Sequence, residues 1–129
     1  MTRIICGVDV CKDSLEARIG HEGAAASFPN HAEGIAALAA FCREQRVELV
    51  AMEATGGYEQ QAFAQLSEAG LPVAILNPRA VRQFAQSMGR LEKTDRIDAG
   101  MIAWYAEVRQ SPPMGGQALV RGVRLGGRP

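Results

Sequence analysis

Four carboxylates stand where apolar runs are interrupted or end, or one helical turn apart: Asp9, Glu53, Asp95 and Asp98. Asp9 breaks the run Ile4-Ile5-Cys6-Gly7-Val8-Asp9-Val10, and Glu53 ends the run Leu49-Val50-Ala51-Met52-Glu53. Asp95 and Asp98 lie at i and i+3 in Lys93-Thr94-Asp95-Arg96-Ile97-Asp98. A carboxylate in a buried strand is costly unless a cation or hydrogen bonds compensate it. Two such positions and a one-turn acidic pair point to a hard-cation site. Mg²⁺ or Mn²⁺ takes oxygen ligands and keeps several waters, so a few carboxylates suffice. Two such ions roughly 3.5–4 Å apart stabilise both oxygens of a phosphodiester displacement. Metal-dependent phosphodiester chemistry is therefore the expectation. Each acid also has a plainer reading. Asp95 could cap a helix whose dipole favours Asp98, and Glu53 could cap a turn. Asp9 has the fewest alternatives, because a central strand offers few routes to solvent.

The elements that must position these acids follow from periodicity. Residues 3–10 are apolar on both faces, which predicts a buried central strand. Residues 14–20 alternate, with Leu15, Ala17 and Ile19 against Glu16 and Arg18, as in a strand with one wet face. Residues 24–28 complete a three-strand meander. Asn30 is the expected N-cap of a helix with the stripe Ile35, Leu38, Ala39 and Cys42. A strand over 47–52 leads through Thr55-Gly56-Gly57 to a helix over 59–69, stopped by Gly70. A strand over 72–76 precedes Asn77-Pro78, which opens a third helix with Val81, Phe84, Ala85 and Met88 on one face. Thr94 or Asp95 is the expected cap of a fourth helix, with the stripe Ile97, Met101, Trp104, Tyr105 and Val108. The order β-β-β-α-β-α-β-α-α predicts an α/β fold, a mixed five-stranded sheet flanked by helices, which is the RNase H-like arrangement. In it the fourth strand lies beside the first, bringing Glu53 to Asp9, while Asp95 and Asp98 share a helix face.

Net charge is zero, with 14 basic and 14 acidic residues. Attraction to nucleic acid must then be local. Residues 79–96 supply it, with Arg79, Arg82, Arg90, Lys93 and Arg96 against Glu92 and Asp95. This is the expected phosphate-backbone surface, its plain alternative being a solvated helix face. Two glycines after Glu53 would let backbone approach a phosphate, but no P-loop pattern accompanies them, and an ordinary turn explains them as well. Cys6, Cys11 and Cys42 lack C-x-x-C spacing and read as reduced thiols in a cytoplasmic protein. His21 and His31 read as solvent-facing or capping. No apolar run is long enough to cross a membrane. One domain over 1–108 is expected, then a tail over 109–129 with eight Gly and Pro residues and no acid, read as disordered or non-native.

Four stretches in this order resemble one family. Gly7-Val8-Asp9-Val10-Cys11-Lys12, Glu53-Ala54-Thr55-Gly56-Gly57-Tyr58-Glu59, Asn77-Pro78-Arg79 and Lys93-Thr94-Asp95-Arg96-Ile97-Asp98-Ala99 are similar to the DEDD transposases of bacterial insertion sequences, the IS one-ten family. The resemblance covers about residues 3–108. It implies a RuvC-like N-terminal domain in which Asp9, Glu53, Asp95 and Asp98 bind two Mg²⁺. It further implies DNA as substrate, a structured guide RNA from the element, and action as an oligomer, with dimer contacts through this domain. Lys12, Arg79 and Arg90 would fall near the active site or nucleic acid. Cys11 stands where the family usually has Ser or Ala. The family's second catalytic domain supplies a serine nucleophile, and Ser111 matches no such motif. The chain alone is therefore expected not to complete recombination. Rival readings are a stand-alone RuvC-like junction nuclease and a non-catalytic nucleic-acid-binding or dimerisation module.

Overall fold

The computed structural model describes residues 3–90 and 96–113. Strand β1 (Ile5–Val10) is buried at every position except Asp9. It hairpins into β2 (Ser14–Ile19), and β2 into β3 (Ala25–Pro29). Helix α1 (Ala32–Glu44), strand β4 (Leu49–Glu53), helix α2 (Gln60–Glu68), strand β5 (Val73–Leu76), and helices α3 (Pro78–Ser87) and α4 (Ala99–Arg109) follow. The strand order is β3-β2-β1-β4-β5. β1 is antiparallel to β2 and parallel to β4, and β4 is parallel to β5. This is the mixed five-stranded sheet that the pattern predicts, with β1 at its centre.

The period-2 pleat sorts each strand between two cores. Cys6, Val8 and Val10 of β1 join Val50, Met52 and Val73 under α1 and α2, where Ile35, Leu38 and Leu66 are fully buried. Ile5 of β1 joins Leu49, Ala51, Ala74 and Leu76 under α3 and α4. Burying each Leu, Ile or Val side chain contributes roughly 1.5–3 kcal/mol. Asp9 and Glu53 share the pleat phase of Ile5 and Leu49, so both belong to the α4 side.

Helix α4 lies on β1 at one close approach. A Cβ at Gly7 would stand 2.0 Å from the Ala99 carbonyl oxygen and 2.7 Å from the Ala103 nitrogen. Only small residues fit such a contact, and α4 presents Ala99, Ala103 and Ala106 with Ile102. This corrects the expected stripe. Ile97 and Met101 are buried as read, but Trp104 and Tyr105 only flank the core and Val108 is exposed.

Caps and boundaries also differ from expectation. Helix α1 is capped by His31, whose Nδ1 accepts from Gly34 N at 3.3 Å, and not by Asn30. The Asn30 side chain is engaged elsewhere. Helix α4 begins at Ala99, because Asp98 holds an extended backbone and its Oδ1 accepts from Met101 N at 2.9 Å. The cap is therefore Asp98 and not Thr94 or Asp95. Residues 96–98 precede the helix, so Asp98 does not lie on a helix face one turn beyond Asp95. At the other end α4 runs through Arg109, one residue into the expected tail, and Ser111 is buried with its N–H donating to the Ala106 carbonyl. Residues 114–129, the rest of that tail, lie outside the described residues.

Candidate metal centre

The β1–β4 register pairs Val8 with Met52. One step further, Asp9 and Glu53 emerge side by side where the parallel strands end, on the same face. This juxtaposition is the one expected from the RNase H-like element order, in which the fourth strand lies beside the first. Helix α4 covers that face, and its cap Asp98 shares with Asp9 a shallow depression of about 390 Å³ that Glu16, Arg18 and Ser27 also line. Asp95 and Lys93, by contrast, lie outside the described residues.

The electrostatics are those of crowded carboxylates. Glu53 is pushed up to about 7 by burial first and the Asp9 charge second, with Arg82 and Arg96 pulling the other way. Its Oε2 is buried and accepts no hydrogen bond among the described residues. Asp9 is compensated directly. Arg96 Nη2 stands 2.9 Å from Asp9 Oδ2 and also contacts the Cys11 sulfur. That guanidinium is 68% exposed and the Asp9 side chain 17%, so the cation reaches in from solvent. Among the described residues no group of three or more His, Cys, Asp or Glu side chains is gathered closely enough to hold a metal ion. Like charges this close repel, and the Arg96 guanidinium offsets part of that repulsion at Asp9.

The other basic residues divide. Lys12 is exposed in the β1–β2 turn and Arg79 at the start of α3. Arg82, one turn further along α3, is half-buried and its charge reaches Glu53. Arg90 packs on an aromatic ring instead, its guanidinium 5.7 Å from the Trp104 ring centroid. His21, expected to be solvent-facing or capping, stacks on the same indole at 4.4 Å.

Two acids beyond the expected four also shape this end of the sheet. Glu16 lies opposite Asp9 in the β1–β2 register, on the α4 face, and accepts a hydrogen bond from Ser27 on β3. Its alternation with Leu15 and Ala17 reads in sequence simply as a wet face. Glu59 turns back into its own loop, where its Oε1 accepts from Thr55 N at 3.0 Å, Thr55 Oγ1 at 2.7 Å and Gly57 N at 3.1 Å. The Thr55 hydroxyl chiefly, helped by those amides, holds the Glu59 carboxyl down to about 2. The glycine loop thus commits its donors to an internal carboxylate, which favours the turn reading over a phosphate loop.

Comparison with known proteins extends this geometry. The DEDD transposase family of the IS110 type matches residues 6–115. The pilin gene-inverting proteins of Moraxella lacunata and Moraxella bovis are each 27% identical over 120 residues, which cover 88% of this chain. The chain spans 37% of the length of those relatives. In structure it is similar to Thermus thermophilus RuvC solved with a Holliday junction substrate, at a TM-score of 0.58 and 18% identity. That match covers 86% of this chain and 99% of RuvC. A second T. thermophilus RuvC structure matches over the same shares at a TM-score of 0.53 and 19% identity. The fold is the RuvC-like, RNase H-like one.

Proposed function

The chain belongs to the DEDD transposase family of the IS110 type, and from that premise we propose that it carries the metal-binding acids of a DNA recombinase. Asp9, Glu53, Asp98 and, from sequence, Asp95 would hold Mg²⁺ or Mn²⁺, two ions in all. The observation that carries this reading is the pair Asp9 and Glu53. They stand together at the C-terminal ends of β1 and β4, with a buried Glu53 Oε2 that has no hydrogen-bond partner among the described residues and a carboxyl raised to about 7. A buried acceptor with a raised pKa beside a second carboxylate suits a hard cation. The all-oxygen donor set fits Mg²⁺ or Mn²⁺. When bound, such ions supply charge neutralisation at the phosphate and a lower pKa for the attacking oxygen.

The protein's own groups have definable parts. Arg96 holds Asp9 Oδ2, so a divalent ion would compete with it for that oxygen, and the exposure of Arg96 leaves it room to turn outward. It then faces solvent as a phosphate contact, together with Lys12, Arg79, Arg82, Arg90 and Lys93. We propose DNA as the substrate, as the name of the pilin gene-inverting relatives supports. A structured guide RNA and a dimer of this domain are the further partners proposed. Work on DNA with those partners would place the protein in the cytoplasm; no helix among the described residues is long and apolar enough to cross a membrane. Residues 1–108 would form the catalytic domain.

Calorimetric titration with Mn²⁺ tests the reading. Saturable binding that Asp9→Ala and Glu53→Gln each abolish is expected. A wild-type chain that takes up no Mn²⁺ up to millimolar concentration, alone or with a four-way DNA junction present, would sink it.

A further inference from the structure

The strands that carry Asp9 and Glu53 leave the sheet into separate turns. β1 passes through Cys11-Lys12-Asp13 to β2, and β4 passes through residues 54–59 to α2. Paired register between β1 and β4 stops at Val8 and Met52, so the ladder itself does not tie the two turns together. One side chain does. Asn30 Nδ2 donates to the Cys11 carbonyl at 2.9 Å and to the Tyr58 carbonyl at 3.2 Å. Two carbonyl acceptors settle which way the amide points, because only its NH₂ end can serve both. Asn30 is itself anchored through its backbone N–H, which donates to the Asp13 carbonyl at 3.1 Å.

The grip on the β4 side depends on a shaped turn. Glu59 closes that turn by accepting from Thr55 and Gly57, and the closed turn presents the Tyr58 carbonyl outward to Asn30. The Asn30 Oδ1 is buried and meets no donor among the described residues. A buried unsatisfied acceptor costs stability.

Building on the metal reading above, we propose that Asn30 is a positioning residue for the acid pair, bracing the exits of β1 and β4 so that Asp9 and Glu53 face a cation together. It touches neither carboxylate. It acts through the two turns, as residues behind a metal's direct ligands commonly do.

Hydrogen exchange on the metal-free chain reads the brace directly. Asn30→Ala should speed exchange in both turns, 11–14 and 55–58, although they are far apart in sequence. Gln65→Ala is the control, since Gln65 Nε2 makes a comparable bond to the Ala32 carbonyl at 2.7 Å away from the acids; it should leave both turns unchanged. Acceleration confined to the start of α1, or absent, overturns the brace. Mn²⁺ titration then reads the positioning. Asn30→Ala should bind roughly tenfold more weakly, the lower end of what loss of such a supporting contact does. Asn30→Ser, whose shorter hydroxyl can donate to one carbonyl at most, should recover no more than part of the affinity. It also carries the comparison should Asn30→Ala not fold. Unchanged Mn²⁺ affinity in a folded Asn30 variant overturns the proposal. A wild-type chain that binds no Mn²⁺ instead overturns the metal reading, and the exchange comparison still decides the brace.

Discussion

The two faces of the sheet are built to different rules, and β1 supplies both. Toward α1 and α2 it offers Cys6, Val8 and Val10, and the core there is filled by large aliphatic side chains, Leu15, Ile35, Leu38, Met52 and Leu66. The titratable groups buried in that core are the thiols of Cys6 and Cys42, whose mutual hydrogen bond, with burial, pushes Cys6 up and keeps it protonated. Toward α4 the same strand offers Ile5, Gly7 and Asp9, and where α4 crosses Gly7 the packing is by small residues at close range. One face is thick and tolerant of chemistry only in inert form. The other is thin, so that the cap of α4 comes down beside Asp9. The difference shows how a strand can be structural at one phase and functional at the next.

The sharpest way to break this comparison is at adjacent residues. Gly7→Ala adds one carbon where two backbone atoms of α4 already stand within 3 Å. Backbone cannot rotate away, so α4 must lift. The expected loss is roughly 3 kcal/mol or more, at or beyond the usual range for overpacking. Val8→Ala, on the thick face, removes two methyl groups from a fully buried site and should cost about 2 kcal/mol. Urea midpoints compare them. A smaller loss for the added methyl than for the removed pair would show that α4 is loosely held and that the thin face is not a constraint.

Next in size is the charge on Glu53. Its folded-state value of about 7 lies above the ordinary 4.5. The folded state therefore holds the proton longer than the unfolded chain. This group's stabilising contribution is complete below pH 4.5 and is lost as pH rises through 7. Glu53→Gln removes the dependence, and at pH 8 should stabilise the metal-free chain by about 1–2 kcal/mol, after allowance for screening at a partly open site. Below about pH 4.5 the gain should vanish. Equal stabilities at pH 8 would mean that the carboxylate already has a compensating partner.

Much of this is legible in sequence because it depends on local period. The element order, the central place of β1 and the meeting of Asp9 with Glu53 follow from apolar runs and alternation. What escapes depends on contacts across the chain. Asn30 stands one residue before a helix cap and reads as the cap itself, and nothing local says that its amide reaches Cys11 and Tyr58. The buried face of α4 is misleading in sequence because large side chains outrank alanines in any stripe, whereas Gly7 on a distant strand selects the alanines. Glu16 passes unnoticed since one-sided alternation does not tell a solvated face from one that an acid shares.

The smallest effect separates structure from chemistry at Asp98. Its Oδ1 is committed to Met101 N as the cap of α4, while the carboxylate also faces the depression it shares with Asp9. Asp98→Ala loses both roles, and the lost cap should cost about 1 kcal/mol. Asp98→Asn keeps a side-chain oxygen for the cap, at which Asn and Asp are nearly equal, so thermal stability should hardly change. The charge is gone, however, and Mn²⁺ affinity should fall in both variants alike. If Asp98→Asn binds Mn²⁺ as wild type does, then Asp98 is a cap only. The metal set would then reduce to Asp9 and Glu53 with Asp95, and the thin face would serve to bring α4 close without supplying a ligand from its first turn.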